Sequence, residues 1–155
     1  MLRSLIGALL ALGPAVGLAQ TIATPAPDFS LAPVAAGTWT YQALPGASEA
    51  RFIDGGGTAR LVIRCTKATR RVSFSPTSAV PAATFFVWTS TASRTVAARF
   101  EANAMRVTAD FAAFDALLDA IAFSRGRISV MVAGGSALVL PAWPEAARTI
   151  EDCRN

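Results

Sequence analysis

The chain has 155 residues, a net charge of +4 and no histidine. Its length fits one domain, and a composition that is 53% hydrophobic and 15% charged provides a core and excludes a disordered chain. The absence of histidine removes the commonest general base and metal ligand, and two cysteines alone do not complete a structural zinc site. We therefore predict no catalytic residue, no metal and no cofactor.

Residues 1–19 have the pattern of a secretory signal peptide. Arg3 provides the positive start, residues 5–12 form the apolar run, and Ala19 is a small residue before the expected cleavage point. The alternative, a membrane anchor, needs about 20 apolar residues. The uncharged stretch over residues 4–19 is shorter than this and contains a proline. We predict a periplasmic or secreted protein that does not stay inserted in the membrane after cleavage.

A lead rich in proline and alanine follows over residues 20–37, and we expect it to be extended or disordered before a single domain over residues 38–155. Alternation of apolar and polar residues, interrupted by turn residues, predicts seven short strands at the start of that domain. The predicted strands are Thr38–Leu44, Ser48–Ile53, Ala59–Cys65, Arg71–Ser75, Ala83–Thr89, Arg94–Phe100 and Met105–Asp110. In the third strand Leu61, Ile63 and Cys65 share one face, which we expect to point inward.

After these strands the apolar residues recur at spacings of three and four. This predicts an amphipathic helix over Phe114–Ser124, with Gly126 just past its end. Two strands, Arg127–Ala133 and Ser136–Leu140, flank a glycine pair, and a last helix is expected over Pro144–Cys153. The fold class is therefore mainly β (α+β): an antiparallel β-sandwich or half-open barrel of about eight or nine strands, with two helices and one disulfide.

The disulfide is expected between Cys65 and Cys153. Exported proteins fold in an oxidising compartment, and two cysteines allow only one intramolecular bond. An intermolecular bond is the alternative, whereas a redox role requires a closer pair such as Cys-x-x-Cys. The intramolecular bond would stabilise the fold by about 4–5 kcal/mol.

Few polar residues form a pattern that predicts chemistry. Asp115 and Asp119 lie one helical turn apart, which fits a carboxylate pair for acid–base work or for binding a cation, or else a solvated helix face. Arg125 and Arg127 flank a glycine, which fits either an anion-binding pair or the cationic end of a helix. Trp143, between two prolines, fits either core packing or a partial lid over a ligand. The candidate partner-binding residues are therefore Arg125, Arg127 and Trp143.

The order of the elements resembles that of a group of small exported bacterial proteins. A strand with the sequence Leu61-Val62-Ile63-Arg64-Cys65 precedes further strands, an amphipathic helix, an Arg-x-Arg strand and a last helix that ends at Cys153. Over residues 38–154 this order is similar to the invasion-associated locus B proteins and the related type VI secretion accessory proteins. The resemblance implies a bond between a strand cysteine and a cysteine at the end of the last helix, and it implies no catalytic motif.

Together these observations predict an exported, non-enzymatic binding or accessory protein of the bacterial cell envelope, with an envelope protein or an anionic ligand as its partner. A small periplasmic protease inhibitor is one alternative, and a carboxylate-dependent hydrolase of an envelope polymer is another. We do not expect nucleic acid as a partner, because the 13 arginines and one lysine are spread along the chain rather than grouped with aromatic residues.

Overall fold

The computed structural model describes residues 26–155, so the predicted signal peptide and the start of the lead lie outside the described residues. The elements of the described part, in chain order, are β1 (Gly37–Leu44), β2 (Ala47–Asp54), β3 (Ala59–Thr66), β4 (Arg71–Pro76), β5 (Thr84–Thr89), β6 (Ser93–Ala97), β7 (Arg99–Glu101), a short 3-10 helix (Ala102–Ala104), β8 (Arg106–Ala112), α1 (Ala116–Ala122), β9 (Arg127–Val132), β10 (Leu138–Pro141) and α2 (Pro144–Asp152).

The strands form two antiparallel sheets. The large sheet has the order β1-β2-β3-β4-β8-β7, and the small sheet has the order β10-β9-β5-β6. Neither sheet closes on itself, so the arrangement is sandwich-like and not a barrel. The predicted fold class, mainly β with antiparallel sheets, two helices and one disulfide, is confirmed.

The described residues contain ten strands because one predicted strand is two. Alternation continues without interruption over Arg94–Phe100, but β6 pairs with β5 in the small sheet and β7 pairs with β8 in the large one. The chain crosses between the sheets at Ala98, whose N–H donates to the carbonyl of Ala83 at 2.8 Å. The prediction of a single strand there is wrong, because local alternation reports burial of one face and not which sheet the strand joins.

The core lies between the inner faces of the two sheets and under the helices. Leu61, Ile63 and Cys65 are fully buried, as the alternation in β3 predicts. Phe52 and Phe74 extend this layer on the neighbouring strands. Helix α2 packs on β1, β2 and β3 and also contacts α1, so it covers the part of the large sheet that carries Cys65.

The predicted disulfide is present. Cys65 in β3 and Cys153 at the end of α2 are bonded, with their Cα atoms 5.4 Å apart, inside the range that a disulfide requires. Both residues are buried. The bond therefore fixes α2 to the large sheet from within the core.

Helix α1 is shorter than the predicted Phe114–Ser124. Asp115 is its N-cap, and the Asp115 carboxylate accepts a hydrogen bond from the Leu117 N–H at 2.8 Å. This cap begins the helix at Ala116, since an N-cap residue itself has non-helical dihedral angles. Phe114 lies outside the helix and is 68% exposed, so its spacing in the sequence does not reflect burial.

Part of the predicted lead lies within the described residues. Residues 26–36 form neither helix nor strand, but they lie against the small sheet. The Phe29 ring packs edge-on against Trp88, with ring centres 5.9 Å apart, and the Ala35 N–H donates to the Val139 carbonyl at 2.7 Å. Contacts with distant residues therefore order a segment whose proline-rich composition favours disorder.

Candidate functional site

Arg127, a predicted partner-binding residue, makes hydrogen bonds to another segment of the same chain. Its Nε donates to the carbonyl of Ala32 at 2.7 Å, and its Nη1 donates to the carbonyl of Ser30 at 2.8 Å. Both acceptors belong to the lead. The guanidinium therefore holds the lead against the small sheet, and two of its five N–H donors are already occupied.

Arg125 and Trp143 are more accessible. Arg125 is exposed in the loop between α1 and β9, where its backbone N–H donates to Ser90 Oγ at 2.8 Å. Trp143 precedes α2 as its N-cap residue and is 43% exposed. The pairing of Arg127 with Pro141 brings Arg127 and Trp143 to the same end of the small sheet. None of the main grooves in the described part of the chain is lined by these three predicted residues.

The two helix carboxylates do not converge on one site. Asp115 binds the guanidinium of Arg94 at 2.8 Å, and Asp119 binds that of Arg154 at 2.7 Å. Each carboxylate therefore has its own cation. An acid–base pair needs two groups that face one reacting bond, and this arrangement does not provide it.

The outer face of the large sheet carries a polar groove that the sequence analysis did not single out. The groove has a volume of about 520 Å³, and β2, β3, β4, β7 and β8 contribute its lining. Its charged side chains are Glu49, Arg51, Arg64, Arg99, Glu101, Arg106 and Asp110. Ser73, Ser75 and Thr108 add hydroxyl groups. We call this groove the polar sheet face.

Strand register aligns these side chains in rows across the sheet. Glu49 pairs with Arg64, Arg64 pairs with Ser73, and Ser73 pairs with Asp110, so one row crosses four strands. Side chains of directly opposed residues in antiparallel strands are close enough to interact. The row is polar because the alternate residues of the same strands point into the core.

Glu49 is the centre of one half of this face. Its side chain is only 7% exposed, and it accepts hydrogen bonds from Arg51 Nε and from Arg64 Nη1, the latter at 3.2 Å. Both arginine side chains remain nearly half exposed. Because each guanidinium uses one of its five N–H donors on Glu49, the others stay available at the groove.

Arg106 adds a third guanidinium to the same half. It donates to the carbonyls of Ser75 at 2.6 Å and Ala59 at 2.7 Å, and it forms no ion pair with a carboxylate of the described residues. Burial lowers the pKa of Arg106 below its usual range, the positive charge of Arg51 lowers this pKa further, and the negative charges of Glu49 and Glu101 oppose the shift. Two guanidiniums therefore bind one carboxylate and a third lines the same groove without an ion pair, and we call Glu49, Arg51, Arg64 and Arg106 the arginine cluster.

The other half of the polar sheet face has more carboxylates than arginines. Arg99 binds Asp110 and also Glu101, the latter at 3.1 Å. The hydrogen bond that Arg99 donates to the Asp110 carboxylate raises the pKa of Arg99, and burial opposes this shift. One guanidinium lies between two carboxylates here, so an anionic group is favoured at the arginine cluster and not at this end.

The arrangement suits recognition of an anion. Guanidiniums bind carboxylate, sulfate and phosphate groups through paired N–H donors. The described residues contain no group of three histidine, cysteine or acidic side chains placed to hold a metal ion.

Comparison with known proteins found no matching family model, no matching curated protein and no matching solved structure. Neither of the two helices in residues 26–155 has the length and the apolar run that crossing a membrane requires. What the structure defines is a class of molecule: a small, disulfide-bonded, sandwich-like β protein with one open polar sheet face.

Proposed function

We propose that this chain is an exported, non-enzymatic binding or accessory protein of the bacterial cell envelope, and that the arginine cluster holds an anionic group of its partner. One observation carries the second part of this proposal. Arg51 and Arg64 share a single buried carboxylate and Arg106 forms no ion pair among the described residues, so the groove, with four arginines and three carboxylates, keeps an excess of one positive charge and unused N–H donors.

The cluster is positioned before a ligand arrives. Glu49 is buried and binds two arginines at once, so their guanidiniums lose less freedom when an anion binds. The Ser75 hydroxyl lies 2.9 Å from that of Thr108, and both line the same groove. These hydroxyls supply neutral donors and acceptors beside the charged groups, as a polar partner such as an acidic polysaccharide requires.

Two features support the envelope as the location. The chain begins with a basic residue and an apolar run that resemble a signal peptide, and a buried disulfide fits an oxidising compartment. The order of its elements resembles the invasion-associated locus B and type VI secretion accessory proteins, and we propose membership of that group. The hydrolase alternative loses support, because Asp115 and Asp119 each pair with an arginine.

The anion-binding part can be tested with oligogalacturonate, a carboxylated oligosaccharide, and with a neutral dextran of equal length. Calorimetric titration should show binding of the acidic sugar that weakens as salt rises, because the attraction is screened. The dextran should not bind. Equal binding of both sugars would contradict a charge-based site.

A triple-glutamine variant of the cluster provides the matched test. Replacing Glu49, Arg51 and Arg64 together by glutamine lowers the net charge by one and leaves no unpaired buried carboxylate. We expect at least about a tenfold loss of affinity for oligogalacturonate. Arg125→Ala lowers the net charge equally outside the groove and should change the affinity little. Equal losses in both variants would show that only total charge matters.

Export is tested separately. Expressed in a Gram-negative host, the full chain should be recovered from the periplasmic fraction or the medium, with Gln20 as its first residue. A chain that lacks residues 2–19 should remain in the cytoplasm. Recovery of the uncleaved full chain in the cytoplasm would refute the envelope assignment while leaving the sugar-binding test unaffected.

A further inference from the structure

A second groove lies where the free edge of β1 meets the start of α2. It has a volume of about 340 Å³. Its lining residues are Trp39, Thr40 and Tyr41 of β1 and Pro144, Glu145 and Arg148 of α2. We call it the edge groove. It shares no lining residue with the polar sheet face, so it is a separate candidate for recognition.

The edge of β1 is open to another strand. β1 pairs with β2 along all eight of its residues and is the last strand of the large sheet. On an edge strand, every second residue directs its backbone N–H and C=O away from the sheet. Within residues 26–155, these groups make no backbone hydrogen bond to another segment. β1 also contains no proline and no charged residue, which are the usual means of protecting an edge.

Glu145 supplies charge specificity beside this edge. It lies in the first turn of α2, and its carboxylate Oε2 is buried without a hydrogen-bond partner among the described residues. Arg148 does not neutralise it, because the Arg148 guanidinium stacks on the Tyr41 ring at 4.0 Å from the ring centre. A buried carboxylate oxygen without a donor is unfavourable, and a cationic side chain from a partner would satisfy it.

We propose that the edge groove binds an extended peptide segment of a partner protein, which adds a strand to β1 and places a lysine or arginine side chain against Glu145. Main-chain hydrogen bonds to the edge provide affinity that is independent of sequence, and the pocket selects one side chain. The half-buried Tyr41 and the exposed Pro144 line the groove and can contact the methylene groups of that side chain.

Selection from a displayed library of random seven-residue peptides tests the charge preference. The full-length protein should enrich peptides with lysine or arginine at one position. Selection on Glu145→Gln should lose this preference, while Glu151→Gln, an equal charge change at an exposed position of the same helix, should keep it. Recovery of peptides without a basic residue from the unchanged protein would overturn the proposal.

The strongest selected peptide then tests the pairing with Glu145. We expect Glu145→Gln to weaken its binding by about tenfold. Replacing the basic residue of the peptide by norleucine should cause a similar loss, and the two changes together should cost no more than either one. Additive losses would place the basic side chain elsewhere and contradict the assignment.

Strand addition is tested by methylating backbone nitrogens of the same peptide at odd or at even positions. Only one set faces β1 in an added strand, so one methylated peptide should lose binding and the other should keep it. Similar behaviour of the two peptides would exclude strand addition.

Sedimentation tests whether a second copy of the chain is the natural partner. A dimer that dissociates when the peptide is added would show that the edge normally pairs with a second copy, and would overturn the choice of partner. The triple-glutamine variant of the arginine cluster should bind the peptide normally, so this proposal and the anion site can fail independently.

Discussion

The outer faces of the two sheets differ in what covers them. On the small sheet, Trp88, Ser129 and Val139 form one row across three strands, and the lead lies against it. Strand alternation predicts that Ser129 points outward with Arg127, yet Ser129 is fully buried. On the large sheet the corresponding face is charged and no described element crosses it. A face with a tryptophan and a valine is covered by the protein's own chain, while a charged face remains open.

The difference separates two uses of arginine. Arg127 directs its guanidinium at backbone carbonyls of the lead, and so it contributes to the fold. Arg51 and Arg64 share one carboxylate and keep most of their donors at an open groove. Residues that close the small sheet should therefore affect stability, and residues that line the large sheet should affect binding.

The largest loss of stability should follow removal of the disulfide, which holds α2 against the inner side of the open sheet. The variant Cys65→Ala with Cys153→Ala should lose about 4–5 kcal/mol of unfolding free energy in urea titration, because its unfolded chain is no longer closed into a loop. Reduction of the unchanged protein should cause a similar loss. A loss below about 1 kcal/mol would mean that packing alone fixes α2.

A smaller loss should distinguish the two arginines that the sequence analysis paired. Arg127→Ala removes two charge-assisted hydrogen bonds to the lead and should lower the unfolding free energy by about 2 kcal/mol. Arg125→Ala makes the same charge change in an exposed loop and should stay within about 0.5 kcal/mol. Hydrogen exchange of residues 28–35 should quicken only in the first variant. Equal unfolding free energies of the two variants would show that Arg127 does not hold the lead against the small sheet.

The contact of Phe29 in the lead with Trp88 in the small sheet should contribute less to the free energy of unfolding. Phe29→Ala removes an edge-on ring contact with Trp88 and should lower the unfolding free energy by about 1 kcal/mol. Exposure of Trp88 should also shift the tryptophan emission to longer wavelength. Leu31 is 92% exposed, and Leu31→Ala should change neither quantity. An unchanged emission in Phe29→Ala would contradict the covered state of the small sheet.

The smallest effect on stability should come from the open face. The triple-glutamine variant at positions 49, 51 and 64 should keep the unfolding free energy within about 1 kcal/mol, since the buried carboxylate and both of its half-exposed partners are replaced together and no buried charge is left unpaired. The same variant should lose oligogalacturonate binding. Thermal unfolding and calorimetry on one preparation measure both quantities. Large destabilisation would make the cluster structural and remove the contrast between the two faces.

Local patterns explain why most of the fold is predictable. Alternation locates nearly every strand, and the proline at position 144 marks the start of the last helix. The contacts of the lead are not predictable in this way, because they are made with Trp88 and Arg127, which lie far along the chain. Composition reports the tendency of a segment in isolation, and contacts of this kind override it.

Part of the candidate site also follows from the sequence, but only through a β-bulge. A regular hairpin between β2 and β3 would place Glu49 opposite Ile63, and thus opposite a core residue. The register shift between Phe52 and Ile53 places Glu49 opposite Arg64. Burial of Leu61, Ile63 and Cys65 requires that shift, because a slip of one residue turns every side chain to the other face. The contribution of Arg106 is not predictable in this way, because β8 reaches β4 across a long connection.

The bond between Cys65 and Cys153 closes a covalent ring of chain that contains every element from β4 to α2. A protease that cuts once in any loop within that ring opens it without releasing a fragment. The nicked protein should run as one band on a non-reducing gel and as two bands after reduction. Because both halves stay joined through the core, a single cut in an exposed loop leaves the charged sheet face attached to the strands that position it.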